Sequence, residues 1–344
     1  MANHAVTAVN IAKNIFEVAV SIQPGRVKGR ERLARKNLLR FFATRPQTTV
    51  VMEACGSAHY WARELEGLGH QVVLLPPSLV APYRKRNKTD RADAKALLEA
   101  YRDEDIHPVP IKSVYQQTLT SLQRARSKWM QARTATINTV RGLLRELGEF
   151  IPVGARNVVP STHAYIGDAE SDCPDALRAV LLNMCEEIRA LEASIRRTEG
   201  QLEALAKEIP IVAQLRTIPG IGLITATALV AFVGDAQRFK NGRRFASYLG
   251  LTPKENSSGG KRRLGRISKQ GNPYLRHLLI HCARSMMRAA GTKTKPDRLR
   301  SWALEKAASR GPHKGAAAVA NKLARTAWAI WAKNTTYCPL PAAA

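Results

Sequence analysis

Two sets of side chains in this sequence have the types and spacing that phosphoryl chemistry needs. The first is acidic. Asp90 and Asp93, within Lys88-Thr89-Asp90-Arg91-Ala92-Asp93-Ala94-Lys95, stand three residues apart and share one face of a helix, where they can hold a cation between them. The pair reads equally well as acids answering the positive end of a helix dipole. Glu53 shifts the balance toward a metal, because it closes the apolar run Val50-Val51-Met52 rather than sitting on a polar face, and a carboxylate there needs a partner. Asn10 is placed comparably, between Ala8-Val9 and Ile11-Ala12. The ends of two strands and one helix can thus converge on a single pocket.

The second set is a hydroxyl among cations. Ser257-Ser258-Gly259-Gly260 has the composition of a flexible linker, but it leads directly into Lys261, Arg262, Arg263 and Arg266. A hydroxyl in a glycine loop can approach a phosphodiester closely, and these cations would hold the phosphate and neutralise developing charge. A third feature is Ile218-Pro219-Gly220-Ile221-Gly222 ahead of an apolar helix over 223–233. A glycine turn feeding a helix leaves N–H groups for a phosphate, with Gly220 and Gly222 as contacts, and resembles a helix-hairpin-helix element. A tight turn before a core helix is the alternative. His59 lies beside the acidic pocket. His277 and His281 have zinc-ligand spacing on a predicted helix over 274–287 but no third ligand, so core or phosphate-facing roles are expected. Trp302, Trp328 and Trp331 fall on helical patterns, where packing is expected and stacking on unpaired bases is the alternative.

The elements that must position these groups follow from apolar periodicity. Strands are predicted over 5–10 and 15–22, joined as a hairpin, then a helix over 36–43, a buried strand over 48–53, a helix over 58–68 and a strand over 71–75 stopped by Pro76-Pro77. A basic, irregular stretch over 84–88 precedes a helix beginning near Thr89. The middle of the chain is different, with long helices over 113–147 and 174–208. In the second, Leu177, Leu181, Met184, Ile188, Leu191, Ile195, Thr198, Leu202 and Leu205 alternate steps of four and three, the seam of a coiled coil. The first carries Leu119, Leu122, Trp129, Val140, Leu144 and Leu147 on a comparable stripe. Joined by a loop over 148–173, the two satisfy either an antiparallel hairpin or an intermolecular coiled coil. The expected organisation is an α/β domain over 1–112, a coiled-coil helical region over 113–209 and a mostly helical basic domain over 210–344.

Length and charge agree with that division. A chain of 344 residues exceeds one ordinary core and suggests two or three units. The net charge is +27, and from residue 251 onward 19 lysines and arginines face three acids, Glu255, Asp297 and Glu305. Such an excess attracts polyphosphates, so nucleic acid is the expected partner. No apolar run approaches the ~20 residues that cross a bilayer, and the start of the sequence lacks a secretory pattern; a cytoplasmic location is expected with no membrane partner. Five scattered cysteines without a Cys-x-x-Cys pair indicate reduced thiols rather than a zinc site or a disulfide framework.

The arrangement of acids resembles the ribonuclease-H-like (RuvC-like) fold, in which acids from the first and fourth strands and a late helix hold two Mg²⁺ ions. More specifically, Val9-Asn10-Ile11-Ala12-Lys13, Met52-Glu53-Ala54-Cys55-Gly56 and Lys88-Thr89-Asp90-Arg91-Ala92-Asp93-Ala94 are similar to the DEDD signature of the insertion-sequence one-ten transposase family. The likeness continues through Pro219-Gly220-Ile221-Gly222, Phe245-Ala246-Ser247-Tyr248-Leu249-Gly250-Leu251-Thr252-Pro253, Ser257-Ser258-Gly259-Gly260-Lys261 and Ile267-Ser268-Lys269-Gln270-Gly271-Asn272, and the Ser-Ser-Gly-Gly-Lys form most resembles the eleven-eleven subgroup. The resemblance implies a recombinase with Ser258 as nucleophile, Ser257 being the alternative, through a covalent phosphoserine intermediate. It also implies Mg²⁺ held at Asn10, Glu53, Asp90 and Asp93, and nucleic-acid contacts at Gly220, Gly222, Lys261, Arg262, Arg263, Arg266 and Lys269. The implied partners are donor and target DNA duplexes, a structured bridge RNA, and further copies of the chain in a dimer or tetramer. Because the acids and Ser258 lie on opposite sides of the coiled-coil segment in the sequence, a composite site that combines them from different protomers is expected. One residue departs from the pattern: Asn10 stands where the family has an aspartate, which should weaken one metal position. A Mg²⁺-dependent nuclease or Holliday-junction resolvase, and a non-catalytic nucleic-acid-binding protein, are the alternative functions.

Overall fold

The computed structural model describes residues 5–23, 26–84, 89–291 and 297–339. The chain forms two compact units, Met1–Tyr115 and Gln116–Ala344. Among the described residues no helix is long and apolar enough to cross a membrane.

The first unit is α/β. Its elements are β1 (Val6–Asn10), β2 (Ile15–Gln23), β3 (Arg26–Ala34), α1 (Leu38–Ala43), β4 (Thr49–Glu53), α2 (Ala58–Gly67), β5 (Gln71–Leu75), α3 (Pro77–Val80) and α4 (Asp90–Ala100). The strands make one mixed sheet in the order β3-β2-β1-β4-β5. β1 runs antiparallel to β2 and parallel to β4, β2 is antiparallel to β3, and β4 is parallel to β5. Because side chains alternate across a strand, the central strands bury both faces. Val9, Val18, Val50 and Met52 pack with Leu38, Phe42, Trp61 and Leu65 of α1 and α2, whereas Ala8, Ala19, Val51 and Leu75 pack with Ala94, Leu97 and Leu98 of α4. Each large side chain so buried contributes about 1.5–3 kcal/mol. The two-sided core therefore fixes strand register, and register fixes which residues reach the α4 side.

The predicted hairpin, strands and helices of this unit are present, but β3 was not expected. Arg26, Lys28, Arg30, Glu31 and Arg32 crowd its nine residues, and it is an edge strand, where charge is tolerated and blunts pairing with other chains. Of the basic stretch over 84–88, residues 85–88 lie outside the described residues.

The second unit is helical apart from one small hairpin. It comprises α5 (Val114–Glu146), whose first two residues lie at the unit boundary, α6 (Val158–Gly167), α7 (Asp175–Ala206), α8 (Pro210–Arg216), α9 (Leu223–Val233), α10 (Gly242–Tyr248), strands β6 (Pro253–Glu255) and β7 (Leu264–Ile267), α11 (Pro273–Gly291), α12 (Arg298–Arg310) and α13 (Pro312–Lys333). α5 and α7 pair within one chain. Arg126 meets Glu199 at 2.7 Å and Arg133 meets Glu192 at 3.6 Å, so partner numbers rise on one helix as they fall on the other, the signature of an antiparallel hairpin.

At one end of that hairpin Ile137, Val140 and Leu144 pack against Leu181 and Ile188. The connecting segment expected as loop supplies α6, whose Val158, Thr162 and Ile166 recur every four residues and bury there. Pro160 is tolerated because it stands in the first turn, where its missing N–H is not needed. Nearer the other end the α5 seam turns polar. Gln123 is wholly buried, its amide donating to the Ile224 carbonyl at 3.1 Å and Thr227 Oγ1 at 2.7 Å, while its carbonyl accepts from the Tyr274 hydroxyl at 2.8 Å. One side chain thus joins α5 to α9 and α11, with both ends of its amide satisfied.

Candidate functional site

The acidic positions collect at one end and on one face of the N-terminal sheet. Val9 and Met52 are partners in the parallel β1–β4 pair, so the next residues, Asn10 and Glu53, close adjacent strands at the same edge. Ala8 and Val51 face α4, and Asn10 and Glu53, two residues further on, point the same way. α4 begins at Asp90, held by Thr89, whose hydroxyl accepts from the Ala92 N–H at 3.2 Å. Asp90 and Asp93 both fall in its first turn, where the helix dipole favours negative charge.

The contacts within this cluster are specific. The Asn10 amide Nδ2 donates to Asp90 Oδ1 at 3.2 Å, and Asp93 Oδ1 accepts from Arg84 Nη1 at 2.9 Å. Glu53 lies near Cys55, whose thiol is pushed up first by burial and then by the Glu53 charge. The donor set is all oxygen, as a hard divalent ion prefers. As arranged it is not a metal pocket: the amide nitrogen of Asn10 faces Asp90, a guanidinium occupies Asp93, and among the described residues no three of His, Cys, Asp or Glu are grouped to hold an ion. The structure brings Asn10 to Asp90, keeps Glu53 at the same sheet end, and gives Asp93 to Arg84.

Sequence reasoning missed two members of this neighbourhood. Glu17 is buried in β2 directly across from Asn10, with Arg32 at 3.5 Å, and shares a cleft with Asp90, Arg30, Arg32 and Arg91. Its signal was the one that exposed Glu53, an acid inside an apolar strand, Phe16-Glu17-Val18. Arg84 had no comparable signal, since it belongs to a run of basic residues. His59 serves the fold, its Nδ1 accepting the Lys112 N–H at 3.2 Å.

The serine segment is a hairpin rather than a linker. Pro253 pairs with Ile267 and Glu255 with Leu264, and a bridge links Ser258 with Lys261, whose N–H donates to the Ser258 carbonyl at 3.1 Å. Gly259 and Gly260 between them have φ of +56° and +73°, the left-handed values that a two-residue type I′ turn requires at both positions. The two serines behave differently. Ser257 Oγ donates to Glu255 Oε1 at 2.8 Å and accepts from the Arg263 N–H at 3.0 Å. The exposed Ser258 hydroxyl makes no hydrogen bond among the described residues. Glu255 also meets Arg262 at 3.3 Å; Lys261, Arg263, Arg266 and Lys269 are exposed.

The glycine turn lies between α8 and α9. Gly220, at φ +86°, leaves no room for a side chain, since a Cβ would fall 2.7 Å from the Cys282 carbonyl oxygen. α9 is buried along nearly its whole length. The tight-turn reading is therefore sufficient for Gly220, while Gly222 is exposed at the helix start. His277 and His281 lie with ring centroids 4.3 Å apart and planes tilted by 49°, and burial, then His277 and Arg284, push His281 down from the ordinary imidazole range. Trp302 is covered by Lys322 Nζ at 4.6 Å, and Trp328 Nε1 donates to the Ala236 carbonyl at 3.0 Å.

Comparison with known proteins agrees with both regions. Residues 3–148 match a DEDD transposase family of the IS110 kind, and residues 212–297 match the family described as Transposase IS116/IS110/IS902. A probable family 20 transposase of Pseudomonas aeruginosa is 42% identical over 96% of this chain and 98% of its own length. The transposase for insertion sequence element IS1111A of Coxiella burnetii is 35% identical over 96% and 91%, and that for IS1328 of Yersinia enterocolitica 33% over 98% and 99%. With near-complete coverage at these identities, the chain belongs to the IS110/IS116/IS902 family of insertion-sequence transposases.

Proposed function

We propose that the chain cuts and rejoins DNA with Ser258 as its nucleophile. Ser258 Oγ attacks a DNA phosphorus, forming an ester bond to the protein as the bond to the 3′-oxygen breaks, and the departing oxygen takes a proton. A 3′-hydroxyl of the second duplex then attacks the same phosphorus and releases the serine, so bond energy is conserved and no external energy source is needed. Lys261, Arg262, Arg263, Arg266 and Lys269 hold the phosphate, and Gly222 with Gly220 offers a further backbone contact. The observation that carries this reading is the difference between neighbouring hydroxyls: Ser257 is engaged by Glu255 and Arg263, and Ser258 is free at the exposed turn.

The N-terminal unit, whose strand order and acid placement fit a ribonuclease-H-like domain, orients the same phosphate through Asn10, Glu53, Asp90 and Asp93. Dependence on Mg²⁺ belongs to this proposal on the strength of the oxygen donors and the family. It requires Arg84 to release Asp93, and the Asn10 amide to give up its hydrogen bond to Asp90 and present its oxygen to the ion instead. Guidance by a structured bridge RNA and assembly as a dimer or tetramer on DNA, with acids and serine drawn from different protomers, complete the reading; the net charge of +27 supports it by leaving capacity for both nucleic acids.

The test is covalent trapping. The parent chain should give a protein–DNA adduct in a denaturing gel, Ser258→Ala none, and Ser257→Ala an adduct of the same kind. Adduct from Ser258→Ala would sink the assignment, and Ser258-independent cleavage with water as nucleophile would indicate a nuclease or resolvase. For the RNA, the nucleic acid that copurifies with the protein is sequenced and then withheld from a two-duplex joining reaction, which should stop.

A further inference from the structure

A second cationic surface lies in the helical unit, and none of its residues belongs to the serine hairpin. α10, α12, α13 and the segment 335–338 enclose two adjoining hollows that share Lys322, Thr326, Tyr337 and Cys338. Arg243, Arg298, Lys322, Arg325 and Lys333 line them, and among the described residues no Asp or Glu does. We infer that this groove binds a nucleic-acid phosphodiester strand as a site separate from the one at Ser258.

Three observations support it. Asp297 acts on Tyr337 but is already taken by Arg300, so the lining cations repel one another and an arriving polyanion relieves that repulsion. Burial first, and then Arg325 and Arg298, push the Lys322 ammonium below the ordinary lysine value. The groove is also preformed, because Lys322 is seated over the Trp302 ring at 4.6 Å. Its rim is tied down where Gln214 Nε2 donates to Asn334 Oδ1 at 2.9 Å and the Tyr337 N–H donates to Thr217 Oγ1 at 2.8 Å. Finally, the cations are spread rather than focused. From Lys322 to Lys333 α13 advances about 16 Å at 1.5 Å per residue, room for several successive phosphates at about 3.4 Å of axis per strand. A single small anion would leave most of them unused.

This site rests on the reading that the chain works on nucleic acid but not on the role of Ser258, so the two fail separately. The test uses the full-length chain with Cys55→Ser, which leaves Cys338 as the exposed thiol while Cys173, Cys185 and Cys282 are buried. Maleimide labelling of Cys338 is timed alone, with a structured RNA hairpin, and with a 40-base-pair DNA duplex. We expect at least tenfold slower labelling with one or both, RNA alone identifying an RNA strand and DNA alone a DNA strand. Lys322→Gln with Arg325→Gln should weaken binding at least tenfold and reduce the slope of log affinity against log salt by roughly two, from about 0.9 per phosphate contact. Arg243→Gln with Lys333→Gln, on the other rim and away from Trp302, should do the same if the first pair perturbs folding. Unprotected Cys338 with both nucleic acids, or an unchanged salt slope in both pairs, overturns the inference.

Discussion

The acidic cluster of the sheet and the serine hairpin solve opposite problems. In the sheet, polar groups stand on strands and a helix locked by two apolar cores, and they are partnered from within: Asp90 accepts a hydrogen bond from Asn10, Arg84 pairs with Asp93, and Arg32 with Glu17. On the hairpin, a short pair of strands carries an unengaged hydroxyl and a row of exposed cations, with Glu255 as the local counter-charge for Arg262. Glu17 is buried and Asp93 part-buried, and there an unpaired charge is costly because ions lose their hydration. A presented site can leave charge open and let a polyanion complete it. The first region is preorganised and needs to be unlocked; the second is open and needs to be filled.

Substitutions in the two regions test this contrast. The largest effect is expected at the open site, where Ser258→Ala should lower duplex joining roughly 10³-fold or more, since it removes the hydroxyl proposed as nucleophile, as read by plasmid recombination. Asp90→Ala should cost about 10²-fold in the same assay while leaving DNA binding unchanged, because it disables orientation rather than attraction. Asn10→Asp should raise Mg²⁺-dependent joining about tenfold by supplying the missing carboxylate, and equal activity of the two forms would refute the place given to Asn10. Smaller effects concern stability. Gln123→Ala should lower unfolding free energy by about 2–3 kcal/mol in a urea titration, since it leaves buried partners on α9 and α11 unsatisfied. Ser257→Ala should cost only about 1 kcal/mol, with joining retained.

Much of this contrast was legible in the sequence, for physical reasons that also explain the gaps. Apolar periodicity located β1, β2, β4, β5 and the long helices because those elements bury continuous faces, and the heptads of α7 largely match its buried residues Leu181, Ile188, Ile195, Thr198 and Leu202. β3 escaped because an edge strand loaded with arginine carries little apolar signal. α6 escaped because a proline in its first turn looks like a break. The α5 seam deviates from its predicted stripe at Gln123, where the helix faces α9 and α11 rather than α7 alone. Among site residues, Glu53 was visible as an acid ending an apolar strand, and Glu17 could have been found by the same rule. Arg84 could not, because ion pairing with Asp93 depends on a fold that brings a loop to a helix. Nor could the serine pair be resolved by composition, since the distinction between Ser257 and Ser258 lies in hydrogen bonds across a turn.

The central claim is that the hydroxyl at the apex of the hairpin, and not its neighbour, bonds to DNA. Incubation of the protein, its copurified RNA and a nicked duplex that traps the covalent stage, followed by trypsin and nuclease digestion, would yield peptide 255–261, which carries both serines. Mass spectrometric fragmentation should place a nucleotide on Ser258. A nucleotide on Ser257, or on neither serine in a reaction that still joins the duplexes, would contradict the account.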